Sequence, residues 1–148
     1  MNMRVDTIEL FDALARRMNA RPEHFEALGD IDLDLVCVMR FDIGAFSVRL
    51  SFEGIGCAGV GLCEPGDERT ADCWLEGPLE AWVAMFDDVR AHGGATGMYT
   101  LNSLTLLGDR IALHGGDPMG VDRFHRFNQS VQEFFDGAAT LDAAPAVG

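Results

Sequence analysis

Ala71-Asp72-Cys73-Trp74-Leu75-Glu76-Gly77-Pro78-Leu79-Glu80-Ala81-Trp82 changes its period halfway along. Up to Glu76 polar and apolar residues alternate, which predicts a strand with unlike faces. Gly77 ends that strand, and Pro78 opens a helix at its first turn. From there Leu79, Trp82, Val83, Phe86 and Val89 recur at helical spacing, with Glu80, Asp87, Asp88 and Arg90 turned outward. His92-Gly93-Gly94 closes the helix. A strand that passes straight into an amphipathic helix marks a mixed α/β chain.

The pattern extends in both directions. Upstream, Phe46, Val48, Leu50 and Phe52 alternate with Ser47, Arg49, Ser51 and Glu53, a second strand joined to the run Leu35 to Asp42 through Ile43-Gly44-Ala45. Cys57 to Cys63 reads as a Gly-rich third strand and Ala71 to Glu76 as the fourth. These short gaps predict an antiparallel meander. Residues 6 to 19 read as a first helix, with Asp6 and Glu9 spaced as a capping box and Ile8, Phe11, Leu14, Ala15 and Met18 as its stripe. Downstream, Met98, Leu101, Leu104 and Leu107 allow a helix over about 97 to 106, and Arg110 to His114 is a last strand. Asp117-Pro118 then starts the longest helix, whose stripe is Val121, Phe124, Phe127, Val131, Phe134 and Phe135. Gly137 is read as its end, so residues 1–137 form a single domain and 138–148 a flexible tail.

The chain has 148 residues, a common size for one domain, with 48% hydrophobic and 24% charged residues. No apolar run reaches ~18 residues, so no integral membrane contact is expected. The net charge is −13 and all 11 cations are Arg. Such a surface repels phosphate backbones, so nucleic acid is not an expected partner. No basic-then-apolar leader follows Met1, and the expected location is cytoplasmic. Cys37, Cys57, Cys63 and Cys73 lack metal-ligand spacing and read as apolar core thiols. No metal and no cofactor is expected: the Gly-rich stretches 93–97 and 115–117 do not give a dinucleotide-binding spacing after a strand.

Three local patterns resemble the sterol carrier protein 2-like family: Phe46 to Phe52, Ala71 to Trp82, and Leu107 to Pro118 with its Gly115-Gly116-Asp117 turn. The likeness spans about residues 35 to 136. It implies an α+β sandwich: a five-stranded, mainly antiparallel sheet, helices on one face, and an apolar cavity between them. It also implies binding of sterols, fatty acids, acyl-CoA or other lipids.

The residues themselves add an inventory suited to a pliable apolar interior. Phe11, Trp82, Met85 and Phe86 are expected to contact such a ligand, as are Met98, Tyr99 and Leu104. On the last helix Met119, Phe124, Phe127 and Val131 complete the set. The same spacing equally suits a core filled by its own side chains. For chemistry the candidates are Tyr99, the only tyrosine, and His114, which by parity faces away from the helices if Leu113 faces them. His125 points to solvent, His92 suits its helix C-terminus, and Arg40, Asp42 and Arg49 suit a surface cross-strand ion pair. Asn128-Gln129-Ser130 is a formal sequon without meaning on such a helix.

The leading expectation is a non-catalytic carrier or binding module for a hydrophobic small molecule. The alternatives are an enzyme of the cyclase, isomerase or hydrolase class using the same cavity, and an interaction domain that forms a homodimer.

Overall fold

A computed structural model describes residues 4–107 and 110–143 of the chain. Its centre is β1 (Ile31–Phe41), which pairs antiparallel with β2 (Gly44–Gly54) across the turn at Asp42-Ile43. The pairing sets Leu33 opposite Phe52, Leu35 opposite Leu50 and Cys37 opposite Val48, so both strands bury the same face. β3 (Gly56–Leu62) continues the hairpin pattern, with a bulge where Ser51 meets Gly59 and Phe52 meets Cys57.

The expected four-strand meander stops there. β4 (Cys73–Pro78) runs parallel to β1, with Leu35 opposite Cys73 and Met39 opposite Gly77. β5 (Ala112–Gly115) adds antiparallel to β4, giving the order β3-β2-β1-β4-β5. Residues 63–72 carry the chain across the sheet rather than back along β3. This crossing covers Val36 and Val38, which are buried on the face away from the helices together with Ala71. It is pinned at both ends: Cys63 N–H donates to Ser47 O (3.0 Å) at its start, and at its finish Asp72 N–H donates to Asp34 O (3.0 Å) while Asp34 N–H donates to Asp72 Oδ2 (2.9 Å). Arg49 of β2 donates from Nε to Asp34 Oδ1 (2.9 Å) and from a terminal nitrogen to Thr70 Oγ1 (2.8 Å). The expected ion pair therefore forms with Asp34 instead of Asp42, while Arg40 reaches Glu76 (3.5 Å).

The other face carries the helices. α1 (Ile8–Asn19) lies along β3, where the Asn19 carboxamide donates to Cys57 O (2.9 Å) and accepts from Cys57 N–H (2.8 Å). No capping box forms. Thr7 is the N-cap, without a side-chain cap bond, and Asp6 pairs with Arg4 instead (3.1 Å). α2 (Pro22–Leu28) buries Phe25. α3 (Leu79–His92) follows Pro78 directly, as the opening stretch predicts.

The apolar segment after it is split. A 3-10 turn at Gly97–Tyr99 precedes α4 (Leu101–Leu107), because Thr100 stops the first and caps the second, its Oγ1 accepting from Ser103 N–H (3.2 Å). α5 (Pro118–Ala143) starts as expected, Asp117 Oδ1 accepting from Gly120 N–H (3.0 Å). It does not end at Gly137. It runs 26 residues, ~39 Å, and Ala138, read as the first residue of a frayed tail, is fully buried. Gly137 serves packing here, since a Cβ would press on Arg17 and Leu14 of α1.

Candidate functional site

The helix-facing side of the sheet presents Leu35, Cys37, Val48, Leu50, Phe52 and Leu75, all buried. α1, α3 and α5 lay aromatic rings on them. Phe11 meets Phe86 edge-on (6.4 Å between centroids, 90°) and Phe135 likewise (6.3 Å, 89°). Phe135 in turn meets Phe86 (5.7 Å) and Phe134 (5.5 Å), and Phe134 meets Phe52 of β2 (5.1 Å, 89°). Such edge-to-face contacts are favourable and directional. Trp82 anchors α3 by donating its indole N–H to Val38 O (3.1 Å). Where these rings meet, the expected gap between helices and sheet is occupied by the protein's own side chains.

Of the expected ligand-contacting residues, Phe11, Trp82, Met85, Phe86, Phe124 and Val131 are fully buried in this layer, and Leu104 nearly so. Tyr99 and Phe127 are half-buried. Two are misplaced. Met119 is 68% exposed, because the first turn of α5 turns Gly120 inward and Met119 out; Met98 is 61% exposed on its 3-10 turn.

His114 stands on the face away from the helices, as strand parity predicts. It stacks on Trp74 (5.6 Å, 28°) with Nε2 4.0 Å from Glu76 Oε1, half-exposed and across the sheet from the rings. Cys37, Cys57 and Cys73 are buried, Cys63 half-buried, and all are free. Burial pushes the Cys73 thiol up to about 12 and the Cys37 thiol further in the same direction. Among the described residues no group of three His, Cys, Asp or Glu is placed to hold a metal ion.

A polar flank of α5 escapes the sequence reading. Gln132 Oε1 accepts from Leu101 N–H (2.7 Å), fastening α4 to α5, and its amide donates to Asp136 Oδ1 (2.9 Å). Asp136 Oδ1 also accepts from Ala95 N–H (3.0 Å). Burial raises the Asp136 pKa; these two hydrogen bonds oppose the rise. One turn before Gln132, the Asn128 side-chain nitrogen is sealed from solvent with no hydrogen-bond partner. The available signal was its spacing, four residues after Phe124 and three before Val131.

Three open hollows of 330 to 410 Å³ are lined by described residues at the surface, each with charged side chains such as Arg69 and Arg123, Arg40 and Glu80, or Glu68 and Glu76.

The crystal structure of sterol carrier protein 2 superposes on 90% of this chain and 96% of its own, with a TM-score of 0.69 and 19% identity. The chain has the sterol carrier protein 2-like fold. A solution structure from Thermus thermophilus, of a conserved hypothetical protein described as possibly a sterol carrier protein, matches all of this chain and 95% of its own with a TM-score of 0.67 and 19% identity. No family model and no curated protein matches. The five-stranded, mixed but mostly antiparallel sheet with its helices matches the sterol carrier protein 2-like fold. Among the described residues no helix is long and apolar enough to cross a membrane.

Proposed function

We propose that the protein binds and carries a hydrophobic small molecule, of lipid, sterol or fatty-acyl character, between the sheet and its helices. The observation that carries this reading is the match to sterol carrier protein 2 along nearly both full chains. The interior adds support, since Met18, Met39 and Met85 are fully buried beside the rings, and thioether side chains repack readily around an irregular guest. α4 adds more: it is a seven-residue helix with Leu101 and Leu104 tucked inward, held to α5 by the bond from Leu101 to Gln132. A guest enters where α4 swings away, and the rings of Phe86, Phe124 and Phe135 turn to make room. Met85, Leu104, Phe124 and Val131 then line the guest with Phe11, Trp82 and Phe86, and Tyr99 and Phe127 edge it. Removal of apolar area from water drives uptake at ~25 cal/mol per Å², minus the work of opening contacts already made.

Native mass spectrometry of protein purified without detergent, with solvent extraction of the same sample, tests this. A co-purified lipid, or saturable binding of dehydroergosterol or a fluorescent fatty acid, is expected. An empty protein that ignores both probes overturns the proposal.

A further inference from the structure

Val121, His125, Asn128, Gln132 and Asp136, spaced four, three, four and four apart, form one flank of α5. Val121 and Gln132, on either side of Asn128 in this row, have identified neighbours. A Cβ on Gly115 of β5 would fall 3.0 Å from Val121 Cγ2, and Gln132 holds the start of α4. Asn128 lies between these two along the row, half-buried as a residue with its amide nitrogen sealed, and Phe124 and Val131, four before and three after it, are buried. A buried donor left unpaired in such surroundings costs free energy, and native structures rarely keep one without a purpose.

We infer that Asn128 orients the guest, its amide nitrogen donating to an oxygen of the guest's head, and that it selects an uncharged hydroxyl over a carboxylate. This rests on the proposed function, of which it specifies the polar contact. A carboxamide offers one donor and one acceptor group, so a hydroxyl satisfies it in both directions. A carboxylate satisfies only the nitrogen, and it would enter a flank that already carries the Asp136 carboxyl two turns on. The cations Arg123 and Arg126 lie on the other side of α5, Arg123 reaching Asp32 of β1 (3.3 Å). Arg17 of α1 acts on the Asp136 carboxyl at the far end of the flank, and His125, the basic group within the row, is exposed.

The test compares three probes that share a pyrene and a twelve-carbon chain: 12-(1-pyrenyl)dodecanol, 1-dodecylpyrene and 12-(1-pyrenyl)dodecanoic acid, titrated at pH 8 by fluorescence. The wild-type chain should bind the alcohol about tenfold tighter than the hydrocarbon, the effect of one satisfied buried hydrogen bond, and tighter than the acid. Asn128→Leu should abolish that preference, the alcohol binding no tighter than the hydrocarbon because its hydroxyl then has no partner. Its unfolding midpoint without probe should equal or exceed the wild type's, because the orphaned donor is gone. Equal wild-type affinity for alcohol and hydrocarbon, tighter binding of the acid, or a preference retained in Asn128→Leu overturns the role of Asn128 while leaving guest binding intact. Binding of none of the three overturns the proposed function itself.

Discussion

Gly120 shows how much can rest on the absence of a side chain. It lies in the first turn of α5, buried, and a Cβ there would overlap the carbonyl oxygen of Asp72, where the crossing from β3 enters β4. Backbone cannot yield as a flexible side chain can. Gly120→Ala is therefore expected to destabilise by about 3 kcal/mol, read as a drop in urea midpoint. Gly116→Ala, whose added methyl meets nothing closer than 4.0 Å, should lie within ~0.5 kcal/mol of wild type. The sequence made Asp117 and Pro118 legible as a helix start because their partners are their own neighbours. It could not reveal the role of Gly120, whose partner belongs to another element. The candidate site divides the same way. Periodicity places Phe124, Val131, Trp82 and Phe86 inside, whereas the spacing from Met98 to Leu107 is broken by the 3-10 turn at Gly97–Tyr99, and Met119 stands at an element end, where phase decides exposure. Whether inward rings meet one another or leave a hollow depends on the distance between elements, which no spacing records.

Among elements, the crossing of residues 63–72 was the least legible. Strand positions followed from alternation, yet pairing was inferred from gap length, and the gap pointed to a neighbour that β4 does not have. The better signal lay in Leu35-Val36-Cys37-Val38-Met39, five apolar residues without alternation, buried on both faces as a central strand is. Such a strand needs a partner on each edge, and β3 already pairs with β2. Beside the two hydrogen bonds between Asp34 and Asp72, Arg49 holds the crossing against this strand, fixed between Asp34 and Thr70. Arg49→Met preserves the alkyl stem and removes both attachments. It should cost about 1 kcal/mol at this half-exposed site, measured by chemical denaturation, and should expose 63–72 to limited proteolysis before the rest of the chain.

At the scale of the molecule, a net charge of −13 makes stability respond to pH through any carboxylate the fold treats differently from water. Asp136 is one, its pKa raised by burial. A raised carboxyl pKa means that its favourable contribution is complete below the unfolded value of about 4 and is lost as pH climbs through the folded one. At neutral pH its charge thus opposes folding. Asp136→Asn retains an oxygen for Ala95 and Gln132 and removes that charge. Melting curves between pH 4 and 7 should show the variant gaining on wild type as pH rises, with no difference at the acid end; an advantage constant across the range would contradict the assignment. The sheet order has a consequence for synthesis as well. A ribosome releases β1, β2 and β3 well before β4, so the nascent hairpins wait with one side of the central strand uncovered. During that interval the most water-averse ribbon of the chain is an open template for any other extended polypeptide, and a pause in translation before β4 emerges would prolong the hazard.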